Sequence, residues 1–399
     1  MQSAASTPLV AIAAGGTGGH LFPGLAVAQA LTDRGARVLL LVSPKEVDQQ
    51  AARTAPGLEW RTLPAVALQK GRAGAFVGAL FSSWRTASKW FRARRPRAVL
   101  GMGGFTCVAT VLAAKGVRAA TFLHEANAIP GRAIRWLAPW VDEVCVNFPA
   151  AADRLRNPSV RQVGMPVRAQ FRPLEPEACR LALGLEPDRP VLLVMGGSQG
   201  AAGVNELMLR ALPRLAERAR ELQLLHLTGA GDFEKVRTAY FVQQRRAVVR
   251  PFLAEMELAL GAATIAVSRA GASSLAELAA MRVPAILIPY PAAVDNHQLY
   301  NARALAESGA ARLLEQWQAT PDLLARLIFE LVERPDGREA MSSALARWHD
   351  PAAAARVAER VLERIDLSAD KEASRVTSEP TNRTPGDTQR KAQTEEAWR

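Results

Sequence analysis

The stretch that decides the fold is Ala14-Gly15-Gly16-Thr17-Gly18-Gly19-His20, which follows the apolar run Leu9 to Ala13 and precedes Leu21-Phe22-Pro23-Gly24-Leu25. A short aliphatic run, a glycine turn and then a helix-forming segment with Pro23 near its first turn form the opening of a β-α-β unit. Glycines at that junction bare the backbone N–H groups of a helix N-terminus, which attract an anion, and His20 stands beside them with a group able to move a proton.

The unit is completed by Ala36-Arg37-Val38-Leu39-Leu40-Leu41-Val42, and the pattern recurs in "RAVLGMGGF", "AATFLHEAN" and "VDEVCVN". It restarts at "RPVLLVMGGSQGAAGVNELMLRAL", with further strands in "QLLHLTG", "AVVRPFL", "ATIAVSR" and "VPAILIPY". This spacing predicts an α/β protein of two doubly wound, Rossmann-like domains with parallel sheets, its ligand at the carboxyl ends of the strands in the cleft between them. The expected divisions are residues 1–163, residues 164–345, a helix over residues 346–367 that braces back to the first domain, and a disordered tail over residues 368–399. The tail is rich in Ser, Thr and Gln and poor in apolar residues, so it cannot bury enough surface to offset its ordering entropy.

The loop excludes two common nucleotide sites. A dinucleotide fingerprint counted from Gly16 would need glycine where Leu21 stands, and the second strand ends at Ser43 rather than at an acidic residue for a ribose. A Walker loop would need Gly-Lys followed by Ser or Thr, which never follows a strand here. Glycine turns at Gly15–Gly19, Gly101–Gly104 and Gly196–Gly200 instead point to a diphosphate or an acceptor held from both domains. "SRAGASSLAEL" adds small residues opening a helix, with Glu277 one turn in. A carboxylate is a poor phosphate ligand but accepts from two sugar hydroxyls, which suits a nucleotide sugar.

Taken in order, "GGTGGH", "GMGGF", "HEAN", "GMPVR", "GGSQGA", "SRAGASSLAEL" and "DNHQLYNA" span nearly the whole chain up to the tail, and the sequence resembles the MurG family of inverting N-acetylglucosaminyltransferases. The resemblance implies a GT-B fold with UDP-N-acetylglucosamine in the C-terminal domain. It also implies transfer of the sugar to the C4 hydroxyl of undecaprenyl-diphosphate-N-acetylmuramoyl-pentapeptide, the step that completes the lipid-linked precursor of peptidoglycan. By motif matching it assigns Thr17, Gly18, Gly19, Asn127, Arg168 and Ser198 to the donor sugar or diphosphate, and Leu253 to the uracil. Ala272, Ser273, Ser274, Leu275 and Ala276 fall to the diphosphate and sugar, Glu277 to the ribose and Gln298 to the N-acetylglucosamine. His297 stands where the family often has a second glutamine. The implied partners are the two substrates, with cell-wall synthesis or division proteins as further candidates.

Inversion at an anomeric carbon needs a base for the attacking hydroxyl and stabilisation of the departing UDP. His20 is the candidate base and Glu125 its rival, and the sequence alone leaves both open. His20, His124 and Glu125 lack a recognised metal-ligand spacing, and the chain has no Asp-x-Asp, so no metal and no cofactor is expected; helix N-termini and Arg168 would stabilise the leaving diphosphate. A sugar transferase with another lipid acceptor, a UDP-sugar epimerase and a non-catalytic nucleotide-sugar sensor are the competing readings.

The charge is unevenly placed. Of the formal net +12, eleven basic residues lie between Glu59 and Glu125, where no Asp or Glu occurs. Within that window Phe76, Leu80, Trp84 and Phe91 recur at helical spacing, with Phe81 and Trp90 adjacent and Arg85 and Lys89 among the basic residues that follow. Anionic lipid headgroups favour such a field at about 1 kcal/mol per basic residue near the surface. The expected location is therefore peripheral, on the cytoplasmic face of a bacterial inner membrane, with Phe76, Leu80, Phe81, Trp84, Arg85 and Lys89 facing the lipid. A core helix with a solvated basic end is the competing explanation. No RNA-binding signature accompanies the charge, so no nucleic-acid partner is expected. Cys107, Cys145 and Cys179 are scattered, which suits a reducing compartment, and with no apolar run of 18 or more residues in the sequence neither a signal peptide nor a membrane span is expected.

Overall fold

The computed structural model describes residues 7–16, 18–53, 57–65, 73–197 and 200–378. Thr17 and Ser198, and the tail beyond Ser378, lie outside the described residues.

Seven parallel strands form the first sheet: β1 (Leu9–Ala13), β2 (Arg37–Val42), β3 (Glu59–Thr62), β4 (Ala98–Gly101), β5 (Ala120–Glu125), β6 (Glu143–Val146) and β7 (Val160–Gln162). Their order is β3-β2-β1-β4-β5-β6-β7. The second sheet has β8 (Val191–Met195), β9 (Gln223–Leu227), β10 (Ala247–Arg250), β11 (Ile265–Ser268), β12 (Ala285–Leu287) and β13 (Arg312–Leu313), in the order β10-β9-β8-β11-β12-β13. Both are doubly wound, and in each the order reverses beside its first strand, between β1 and β4 and between β8 and β11. Every residue of β1 and of β8 is buried, as expected for strands with helices on both faces.

β1 shows how the alternation sorts the core. Val10 and Ile12 pack with Leu21, Leu25 and Leu31 of the Gly18–Thr32 helix, while Leu9 and Ala11 face Ala87 and Phe91 of the Ala73–Arg94 helix. One further cluster fills the second domain around Leu193, Met208, Leu225 and Ile286. β3, β7 and β13 were not expected from the sequence. They are two to four residues long and mostly half-buried or exposed edge strands, too short for a period to register.

The last helix returns to the first domain, where Val357, Ala358, Val361 and Ile365 complete the cluster around Ile12. Arg360 clasps Glu143 at 2.7 Å and Arg364 reaches Asp142 at 2.9 Å, tying the helix to β6 and to the residue before it. It also runs past residue 367, where the disordered tail was expected to begin, to Ser378. Polar composition removes a burial force, but a helix already nucleated by packing propagates with one hydrogen bond per added residue.

In the Ala73–Arg94 helix, Ala87 and Phe91 are buried under the sheet, and Leu80 packs against Val108, Val111 and Ile134. Leu80, expected to face the lipid with Phe76 and Trp84, therefore belongs to the inward face, as does Phe91, which shares their spacing. The outward apolar face is Val77 (61% exposed), Phe81 (59%) and Trp84 (37%), with the Phe81 and Trp84 rings 5.7 Å apart and Arg85 and Lys89 exposed beyond them. Phe76 is half-buried. Val77 escaped the sequence reading, because two stripes one residue out of phase on a single helix cannot be told apart by spacing. No helix among the described residues is long and apolar enough to cross a membrane.

Candidate active site

A cleft of about 550 Å³ opens where the two reversal points face each other. Gly18, Gly19, His20, Gly103, Gly104, Glu125 and Asn127 line it from the first domain, and Arg168 from the segment joining the domains. From the second come Leu253, Ala272, Ser273, Ser274, Glu277, His297 and Gln298.

The first glycine turn is tied down from two sides. Gly15 N donates to Thr106 Oγ1 at 3.2 Å, and the same hydroxyl donates to Gly15 O at 2.9 Å. Gly16 N donates to the buried Asp48, whose Oδ2 lies 2.6 Å away and also accepts from Ser43 Oγ at 2.5 Å. Asp48 Oδ1 is buried without a hydrogen-bond partner among the described residues. A Cβ at Gly15 would lie 2.3 Å from Ser43 N, so only glycine fits.

The second turn has a task the sequence did not reveal. At Gly103, φ is +101°, and a Cβ there would fall 2.9 Å from the His20 ring; one at Gly104 would lie 3.1 Å from His20 Nδ1. These glycines, expected to hold a diphosphate or acceptor, form the cradle of the imidazole. Burial holds His20 down at about 4 against the pull of Asp48, with His297, Lys45 and His124 adding to the depression, so the ring is neutral near pH 7.

Glu125, the rival base, is buried at the end of β5. Its Oε1 accepts from Asn127 N at 2.8 Å and Asn127 Nδ2 at 3.0 Å, and its Oε2 from Gly131 N at 2.7 Å. Burial raises its pKa, against the lowering effect of those donors. These three donors tie its carboxyl to the loop after β5, while it still lines the cleft. His124 points away from the cleft, with Nε2 3.1 Å from Gly164 O.

The Ala272–Met281 helix brings its N-terminus to the cleft. Residues 273, 274 and 277 face the opening, whereas Leu275 buries its side chain in the second core and gives its N–H to Gly271 O at 3.0 Å. Ala276 packs against Ala126 and Met165. Neither side chain lines the cleft, since a helix turns about 100° per residue and five consecutive side chains cannot face one side. Glu277 is pushed up to about 7 by burial, with Arg168 3.9 Å away pulling the other way. The Arg168 guanidinium is stacked between Phe22, at 4.5 Å, and Phe171, at 4.9 Å.

Gln298 Oε1 accepts from Tyr290 N at 2.9 Å, which fixes the amide with its NH2 group still available. His297 turns its Nδ1 back onto Val294 O at 2.8 Å. Across the mouth, Asp295 meets Arg135 at 2.5 Å and Arg132 at 3.5 Å. The sequence reading passed over this bridge, since an exposed Arg and an exposed Asp far apart in the chain carry no pattern.

Two family models match the chain, the glycosyltransferase family 28 N-terminal domain over residues 10–146 and its C-terminal domain over residues 191–359. A UDP-N-acetylglucosamine--N-acetylmuramyl-(pentapeptide) pyrophosphoryl-undecaprenol N-acetylglucosamine transferase of Anaeromyxobacter sp. (strain K) is 37% identical over 373 residues, covering 89% of this chain and 92% of its own. The enzyme of the same name from Moorella thermoacetica is 34% identical, covering 90% and 99%. The crystal structure of Acinetobacter baumannii MurG superposes with a TM-score of 0.69 at 26% identity, over 90% of this chain and 99% of that one. Both halves of one family follow each other in order around a shared cleft, and the likeness runs nearly end to end, so the chain belongs to glycosyltransferase family 28 and, within it, to the MurG family.

Proposed function

We propose that the protein transfers N-acetylglucosamine with inversion from UDP-N-acetylglucosamine to the C4 hydroxyl of undecaprenyl-diphosphate-N-acetylmuramoyl-pentapeptide. The observation that carries this reading is that a neutral imidazole from one domain and a helix N-terminus with a carboxylate one turn in from the other face the same cleft. In this arrangement the nucleotide lies against the second domain, with its uracil at Leu253, its ribose hydroxyls on Glu277 and its diphosphate at the N-terminus of the Ala272–Met281 helix beside Arg168. Backbone amides and the guanidinium then stabilise the charge that builds on the leaving UDP. Gln298 and Asn127 hold the sugar, with Gly18 and Gly19 against the donor from the opposite side. His20 takes the proton of the attacking hydroxyl as the new glycosidic bond forms and the bond to UDP breaks. Glu125, tied by three donors to the loop after β5, is read as shaping that loop while His20 takes the proton.

The exposed Val77, Phe81 and Trp84, with Arg85 and Lys89, support docking of the first domain on an anionic lipid surface, which would deliver the undecaprenyl-linked acceptor. The location this reading gives is peripheral, at the cytoplasmic face of the inner membrane.

Incubation with UDP-N-acetylglucosamine and the muramyl lipid, without added metal, is expected to give the disaccharide lipid and UDP. Isomerisation of the UDP-sugar without acceptor, or binding without turnover, would reject the reading in favour of an epimerase or a sensor.

A further inference from the structure

Asn301 lies on the His297–Glu307 helix, one turn beyond Gln298, and is wholly buried. Its Oδ1 accepts from Ala128 N at 2.9 Å, and its Nδ2 donates to Asn127 Oδ1 at 3.0 Å and to Ala270 O at 3.2 Å. Asn127 and Ala128 sit on the loop after β5 of the first sheet, and Ala270 on the loop after β11 of the second, directly before the Ala272–Met281 helix. The partners fix the amide. Flipped, it would set its oxygen against two acceptors and its NH2 against an N–H.

Asn127 is held from its other end by Glu125, to which its Nδ2 donates. A continuous chain of hydrogen bonds therefore runs from Glu125 through Asn127 and Asn301 to Ala270, from one domain to the other. Asn301 does not line the cleft itself. An apolar contact of Ala126, Met165 and half-buried Val167 with Ala272 and Ala276 joins the same two regions, and Ala128 is buried against the second domain's core, so the polar chain of Asn301 is set within packed apolar surroundings.

We propose that Asn301 is a positioning residue for sugar transfer: it sets Asn127 and its loop against the Ala270–Ala272 turn, so that its loss disconnects the two halves of the sugar site while the nucleotide grip of the second domain remains. This rests on the reading of Asn127 as a donor-sugar contact. A buried asparagine that merely supported the fold would, on removal, weaken nucleotide binding and turnover together.

Asn301→Ala, Asn301→Asp, Asn127→Ala and the double variant Asn127→Ala/Asn301→Ala are compared by calorimetric UDP affinity and by steady-state kinetics with UDP-N-acetylglucosamine and the muramyl lipid. The expected result for Asn301→Ala is UDP affinity within about threefold of wild type and kcat/KM lower by about tenfold or more, the scale set by leaving buried polar groups unpaired. Asn301→Asp is expected to lose at least as much, since a carboxylate turns an acceptor toward Asn127 Oδ1 and Ala270 O. The double variant is expected to fall no further than the worse single one, as for residues acting through one contact. The inference is overturned if Asn301→Ala loses UDP affinity in step with turnover, if its kcat/KM is unchanged while Asn127→Ala is impaired, or if the two single losses multiply. Wild-type kcat/KM in Asn127→Ala would overturn the reading of Asn127 first and the inference with it.

Discussion

Glu277→Gln is expected to move stability and nucleotide affinity in opposite directions. In the free protein burial lifts the Glu277 carboxyl from 4.5 to about 7, with Arg168 offsetting only part of the cost. Between these two values the folded chain keeps a proton that the unfolded chain has released. Each pH unit climbed through that window therefore costs the fold about 1.4 kcal/mol, and at most about 3 kcal/mol by about pH 8. The isosteric amide has no charge to desolvate, so at about pH 8 the unliganded variant should melt at a higher temperature than wild type.

Binding should go the other way. If the ionised carboxylate accepts from two ribose hydroxyls, the amide forfeits charge-assisted bonds worth about 1.5–3 kcal/mol, or about ten- to a hundredfold in UDP affinity at about pH 8. Wild type loses this advantage as its carboxyl takes up a proton, by about tenfold between about pH 8 and about pH 6, while the variant has nothing there to titrate. The ratio of the two dissociation constants, measured calorimetrically across that range, cancels the titration of UDP itself. A ratio that does not change with pH, or equal affinities at about pH 8, refutes the assignment of Glu277 to the ribose; a melting temperature unchanged at about pH 8 refutes the account of its burial.

His20→Ala should lower kcat by about a hundredfold or more with UDP affinity retained, and in the Glu277→Gln background, where that carboxyl no longer titrates, the acid limb of kcat/KM should report a group near 4 rather than 6.5, because the base is lost only as pH falls through its folded value. Wild-type turnover in that variant would remove the base assignment. Gly103→Ala drives a methyl to within 2.9 Å of the imidazole at a backbone angle that side chains disfavour by about 1–3 kcal/mol, so turnover should fall while UDP affinity holds; an active variant would show that the ring is not held by that turn. Phe81→Glu should weaken binding to vesicles containing anionic lipid by about tenfold and slow transfer to the lipid acceptor, while sparing a soluble acceptor analogue. Equal loss on both acceptors would assign Phe81 to folding.

Much of this protein is written locally. Two rounds of aliphatic run, glycine turn and amphipathic helix declare two parallel sheets, because the period of burial and the conformational demands of a tight turn are set by neighbours in the chain. The same local logic singled out His20 and Glu277, the family resemblance added Asn127, Arg168 and Gln298, and all five line one cleft. What the chain could not declare were relations between distant segments. That Gly103 and Gly104 make room for His20 depends on β1 and β4 becoming neighbours, and that Glu125 accepts from Asn127 and Gly131 depends on how the loop after β5 folds. Which of two interleaved stripes on the Ala73–Arg94 helix meets the sheet, and that Asn301 should bridge two domains, were likewise settled by packing. The physical reason is the range of the forces: propensity and periodicity act over a few residues, whereas burial, the charge state of a carboxylate and the partner of an amide are fixed only when segments far apart in sequence come into contact.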